Sequence, residues 1–98
     1  MPAICRGDGI DIDNIHCSRP YRDECSNTVF VNGIGVSRQG DLNTVHVLPG
    51  FPCPPHTAPI LLGSTTVFAD TKGVGRVYDL IAGCTSVASG SSNVFAGG

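Results

Sequence analysis

Ninety-eight residues, 41% hydrophobic but only 6% aromatic and without Trp, suit one small domain with a thin core. Six basic against eight acidic residues give a net charge of −2, with no basic cluster, which excludes binding to nucleic acid through its phosphates. No apolar run approaches the roughly 18 residues that span a bilayer, and Met1–Arg6 lacks the apolar core of a signal peptide. The expectation is a protein made in the cytoplasm with reduced thiols. Its five cysteines (Cys5, Cys17, Cys25, Cys53, Cys84) are an odd number, so any disulfide framework leaves one over.

Thirteen Gly and seven Pro predict many turns, and no 3.6-residue apolar periodicity of useful length predicts a helix. Pro2–Cys5 reads as a short first strand ending at Arg6-Gly7-Asp8, a half copy of Arg38-Gln39-Gly40-Asp41 further on. Residues 9–15 alternate apolar and polar and lead to His16-Cys17. Residues 18–25 are charged and turn-rich and read as a surface loop. Ser26–Arg38 is the clearest hairpin, because Asn32-Gly33 supplies the two positive-φ positions of a type I′ turn. Asp41–Leu48 carries His46. Five prolines between Pro49 and Pro59 then stiffen the loop that holds Cys53 and His56. Ile60-Leu61-Leu62 reads as a buried strand, and Gly63–Val77 as a second hairpin turning through Asp70–Gly73. The Val29-Phe30-Val31 and Val67-Phe68 ridges are expected in the core first, with a surface role as the alternative.

The chain repeats itself. A shift of 38 residues lays Val29-Phe30 on Val67-Phe68, Gly35 on Gly73, Arg38 on Arg76, Asp41 on Asp79 and His46 on Cys84. The string Ser-x-x-Val-Phe occurs three times, beginning at Ser26, Ser64 and Ser91, which predicts three similar sides. His16, His46 and Cys84 each follow an Asp by five residues. With His56 they form a set of three imidazoles and one thiolate, the donor chemistry of tetrahedral zinc, with iron a weaker match. Cys53, three residues before His56, rivals Cys84 for the fourth place. Cys5, Cys17 and Cys25 are expected as core or interface thiols. Four protein ligands leave no position for a reacting water, so such a site is structural. Glu24 is the only Glu and is near no His in sequence, and no nucleophile elbow or phosphate-binding loop is present, so no catalytic residue is expected.

These features resemble the PAAR-repeat family. The run Gly/Cys-Ser-x-x-Val-Phe, hairpin, Arg, Asp and then a ligand is found at residues 26–41 and 63–79, and the resemblance covers nearly the whole of residues 1–98 as one domain. The name-giving Pro-Ala-Ala-Arg return is replaced by Gly35-Val36-Ser37-Arg38 and Val74-Gly75-Arg76, in which only the Arg is kept. The resemblance implies an all-β, small conical fold of short hairpins with approximate three-fold pseudo-symmetry. It places a structural zinc near the tip, held by His16, His46, His56 and Cys84. It implies a monomer that caps the trimeric β-helical spike protein of a contractile injection apparatus and makes transient contact with the target cell membrane. The location implied is a phage tail or baseplate spike, which a short chain without fused domains suits, or else export through a type VI secretion system. Two other readings stand beside it: a small zinc-binding enzyme, and a secreted disulfide-rich binding module.

Overall fold

The computed structural model describes residues 1–15, 18–45, 55 and 57–98. Among them there is no helix. The chain forms two short antiparallel hairpins, β1 (Phe30–Val31) with β2 (Ile34–Gly35) and β3 (Phe68–Ala69) with β4 (Lys72–Gly73), joined by isolated bridges between distant segments. The class is all-β, and the molecule is elongated, 39 × 23 × 21 Å.

The first hairpin turns at Asn32 and Gly33, with φ of 56° and 77°, as the Asn-Gly pair demands. The second turns at Asp70 and Thr71, with φ of 54° and 69°, so Lys72 and Gly73 belong to a strand and not to the turn. A β-branched Thr at positive φ is unusual. The turn is clasped from outside: the Asp70 carboxylate accepts hydrogen bonds from the Ser26 and Thr28 hydroxyls and from Arg38 Nη1 at 2.8 Å. The third copy of the string has no hairpin of its own. Instead the two ends of the chain pair: Ala3 bridges Phe95, Ile4 N–H donates to Val94 O and Ala96 N–H to Pro2 O, both at 3.0 Å. The half copy that begins at Pro2 is thus completed by residues 94–96.

The three units share one set of contacts. Cys5 N–H donates to Gly75 O, Gly75 N–H to Ser37 O and Ser37 N–H to Cys5 O, at 3.0, 2.8 and 3.1 Å, a closed ring of backbone hydrogen bonds. There is no room for a side chain at Gly75, whose Cβ would lie 2.6 Å from Ile60 Cδ1 and 2.8 Å from Cys5 Sγ. One residue beyond the ring, each unit has an arginine clasped by an aspartate. Arg38 donates to Asp41 from its backbone N–H, Nε and Nη2 at 2.7, 2.8 and 3.0 Å, and Arg76 does the same to Asp79. Arg6 makes the same three bonds to Asp11 rather than to the nearer Asp8, because two more residues lie between them than in the other copies. Hydrogen bonding to Asp11 and Asp41 holds Arg6 and Arg38 above the ordinary arginine pKa. Ser26, Ser64 and Ser91 each accept two backbone N–H groups of the strand that follows.

The core is small and split in two. On the hairpin side Ile4, Val36 and Val74 pack with Val31, Ala69 and Ala96, one residue of each kind from every unit. Beyond the ring lies a second cluster, Cys5, Ala58, Ile60, Ile81 and Val87. The expectation for the apolar ridges is corrected here. Val31 is buried, but Val29, Phe30, Val67 and Phe68 are exposed, because alternation along a two-residue strand sends only one side chain inward. Ile60 is buried as expected of its run, while Leu61 and Leu62 are not.

The Asp70 clasp makes stability depend on acid. The Ser26 hydroxyl, then that of Thr28, hold the Asp70 carboxyl below its ordinary value of 3.8. A depressed folded-state pKa stabilises fully above the unfolded value and is lost as pH falls through the folded one. Stability measured by chemical denaturation should therefore be higher for wild type than for Asp70→Asn at neutral pH, and the gap should close below about pH 4.

Candidate metal centre

Past the second core cluster the chain makes three loops, each closed at its neck by a backbone hydrogen bond. Asp13 N–H donates to Pro20 O (3.0 Å), Asn43 N–H to Ala58 O (3.2 Å) and Ile81 N–H to Thr85 O (2.8 Å). The necks are tied to one another in a cycle by bridges Asp13–Val87, Arg22–Asn43 and Ile60–Ile81. In sequence His16, His46 and Cys84 each stand three residues after a neck residue, and His56 stands two before Ala58. All four sequence-predicted ligands thus belong to loops that leave one set of necks. His16, His46 and His56, and the rival Cys53, lie outside the described residues.

Cys84 is described. Its N–H donates to Ile81 O at 3.0 Å in a tight turn through Gly83, whose φ is 62°. The thiol is half-buried and packs against the second core cluster. Burial raises its pKa, and a hydrogen bond with the Asn43 side chain works the other way. A thiol with a polar partner at its side suits a thiolate ligand. Among the described residues no three His, Cys, Asp or Glu side chains come together as a metal-holding group. The donor types in the loops, three imidazoles and a thiol, match zinc. Cys5 and Cys25 form no disulfide among the described residues; burial pushes the Cys5 thiol up to about 12 and also raises Cys25.

Beneath the necks lies a polar cluster that sequence reasoning missed. Arg22, read as part of a surface loop, is 0% exposed, and so is its partner Asp13. Arg22 Nη1 donates to Asp13 Oδ2 at 3.1 Å, Nη2 to Asp41 O at 2.8 Å and Nε to Ser37 Oγ at 3.3 Å. Asn43 Nδ2 donates to the same Asp13 Oδ2 at 3.1 Å, while Asn43 Oδ1 accepts from Ala58 N–H at 2.9 Å. Among the described residues no buried side-chain polar atom lacks a partner. The signal was in the repeat: Arg22 precedes Ser26 by four residues, as buried Ile60 precedes Ser64 and buried Val87 precedes Ser91. This network fixes two of the three necks, at Asp13 and Asn43, which precede His16 and His46 by three residues in sequence.

No protein-family model matches the chain, and no curated protein sequence does either.

Removing one partner of a buried ion pair leaves the other charge unpaired. Arg22→Met should therefore cost about 3–5 kcal/mol, a large part of the stability of a domain this small. Urea denaturation measures it; a loss under about 1 kcal/mol would mean that Asp13 finds another partner or takes up a proton at little cost.

Proposed function

We propose that the chain is the structural tip of a contractile injection apparatus, a monomer of the PAAR type seated on a trimeric β-helical spike. The observation that carries the reading is a trio of exposed phenylalanines. Phe30, Phe68 and Phe95, the same residue of each Ser-x-x-Val-Phe string, are 58%, 56% and 51% exposed on the hairpin side of the molecule. An apolar residue repeated in three copies on one side suits a partner that offers three equal chains. The ends of such chains expose strand edges and apolar side chains, which need a cover. The ring of backbone hydrogen bonds and the three Arg–Asp clasps support the same reading, a conical fold with approximate three-fold pseudo-symmetry.

The loops at the other end would form the point. There His16, His46, His56 and Cys84 would hold a structural zinc, which when bound supplies a cross-link among loops that have no apolar core of their own. The chain's own part is mechanical. The clasped units transmit axial load through backbone hydrogen bonds and ion pairs, and a narrow tip concentrates it on the target cell outer membrane. No catalytic residue is proposed.

Two measurements test this reading. Protein purified without added metal should carry one zinc per chain by elemental mass spectrometry, and His46→Ala or Cys84→Ser should lower metal content and melting temperature together. Unchanged melting in both variants would remove the structural metal. Separately, the triple change of Phe30, Phe68 and Phe95 to Ser should abolish co-purification with a trimeric β-helical spike while leaving the melting temperature within a few degrees. Undiminished association would place the contact elsewhere.

A further inference from the structure

One flank of the molecule differs from the other two in a way the three-unit plan does not require. At equivalent places in the units the N–H groups of Ile12, Leu42 and Leu80 face the neighbouring segment. Ile12 N–H donates to Ser89 Oγ at 3.1 Å and Leu42 N–H to Glu24 Oε1 at 2.7 Å. The residue that corresponds to Ser89 and Glu24 on the third flank, two before Ser64, is Leu62, whose side chain accepts nothing. Among the described residues the Leu80 N–H has no acceptor. Leu80 lines a groove with Leu61, Leu62 and Tyr78, all exposed, over Arg76 and Asp79.

Tyr78 is the second anomaly. The residues two after the clasping arginines, Asp8, Gly40 and Tyr78, all take positive φ, of 56°, 87° and 78°. Asp and Gly adopt that conformation readily, whereas for Tyr it costs on the order of 1 kcal/mol. The turn itself does not need a ring, and this ring is 79% exposed. Strain held for an exposed aromatic points to what the aromatic touches.

We infer that this flank is a docking edge for an extended, uncharged apolar segment of a partner polypeptide, which presents a backbone carbonyl to the Leu80 N–H and lays its side chains against Leu61, Leu62 and Tyr78. The open donor specifies an acceptor. Strand addition supplies one together with apolar side chains at alternate positions. The groove's two charges, Arg76 and Asp79, neutralise each other at 3.0 Å, so it offers no counter-charge to a charged segment. The other two flanks close the same N–H from within the chain and bear Asp23 and Glu24 or Ala88 and Ser89 where this one bears Leu61 and Leu62. The edge therefore takes one segment per molecule. This inference is independent of the spike reading.

The test uses the full chain, labelled with nitrogen-15, and the blocked peptide acetyl-Thr-Leu-Val-Leu-Thr-amide. The peptide should shift the Leu80 amide saturably and slow its exchange with solvent. Leu62→Glu, which supplies in the chain the acceptor that Glu24 supplies on its own flank, should weaken binding at least about tenfold. Tyr78→Gly should weaken it too while raising the melting temperature, which separates the groove from the fold. The inference is overturned by an absence of binding, by equal binding to Leu62→Glu, or by equal binding of a peptide with Lys and Asp in place of its apolar residues. A Leu80 shift that appears on concentrating the protein alone would make a second copy the occupant and overturn it equally.

Discussion

The closed ring joining Cys5, Ser37 and Gly75 is the constraint on which everything else rests. Each of the three residues donates to one unit and accepts from another, so none of the three segments can be removed or slipped without leaving a buried donor and acceptor open. The ring also sets the size of what surrounds it. Backbones that approach this closely leave space only for glycine at position 75 and for short side chains at 5 and 37. Apolar burial is consequently confined to two thin clusters, one on either side. The Arg–Asp clasps add charge-assisted hydrogen bonds at the rim, where the core is too narrow to contribute. Stability here is mainly a matter of polar groups satisfied in place.

A frame in three copies need not be filled in three copies. On the hairpin side the filling is uniform: Ile4, Val36 and Val74 inside, Phe30, Phe68 and Phe95 outside. On the loop side it diverges, since Arg22, Ile60 and Val87 occupy corresponding places, and so do Asp13, Asn43 and Ile81. Two adjoining sides are joined by a buried ion pair and an amide, the third by aliphatic packing. The polar pair gives direction where aliphatic packing would not, because Asn43 and Arg22 converge on one carboxylate oxygen and fix the necks from which the long loops start.

Much of this was legible in the sequence. The Asn32-Gly33 turn, the all-β class, the shift of 38 residues and the half copy at the N-terminus all correspond to structure, because turn chemistry and repetition are local or countable signals. The clasp of Arg6 to Asp11 was partly hidden, since Gly7-Asp8 offered a nearer match to Gln39-Gly40-Asp41 and only the fold shows where the two additional residues lie. Hydrophobicity puts the Phe30 and Phe68 ridges in the core first and at the surface second, yet in strands of two residues burial depends on which way one side chain points. Arg22 was read as solvated from its charged neighbours, and burial of a charge depends on partners, Asp13 and Asn43, that come from elsewhere in the chain. Of the expected ligand set only Cys84 is among the described residues, beside Asn43; His16, His46 and His56 lie outside them.

The pairing of residues 2–4 with 94–96 has a consequence for the order in which the molecule folds. Residues 2–4 and 94–96 lie far apart in sequence, yet each needs the other to complete a unit. The carbonyl of Gly97 also receives Arg76 and the Ser64 hydroxyl. Until those residues are in place, residues 2–4 lack their partner and Arg76 lacks one of its acceptors. Closing so wide a separation carries most of the loop entropy before any contact offsets it, so folding is slow relative to a helical chain of equal length and is gated by its final step. The two hairpins are local and can form early, but the ring is sealed against a completed unit only once the distant segments meet. A chain without residues 94–97 would present an unpaired edge together with Phe30 and Phe68, a surface open to association with other partly folded chains.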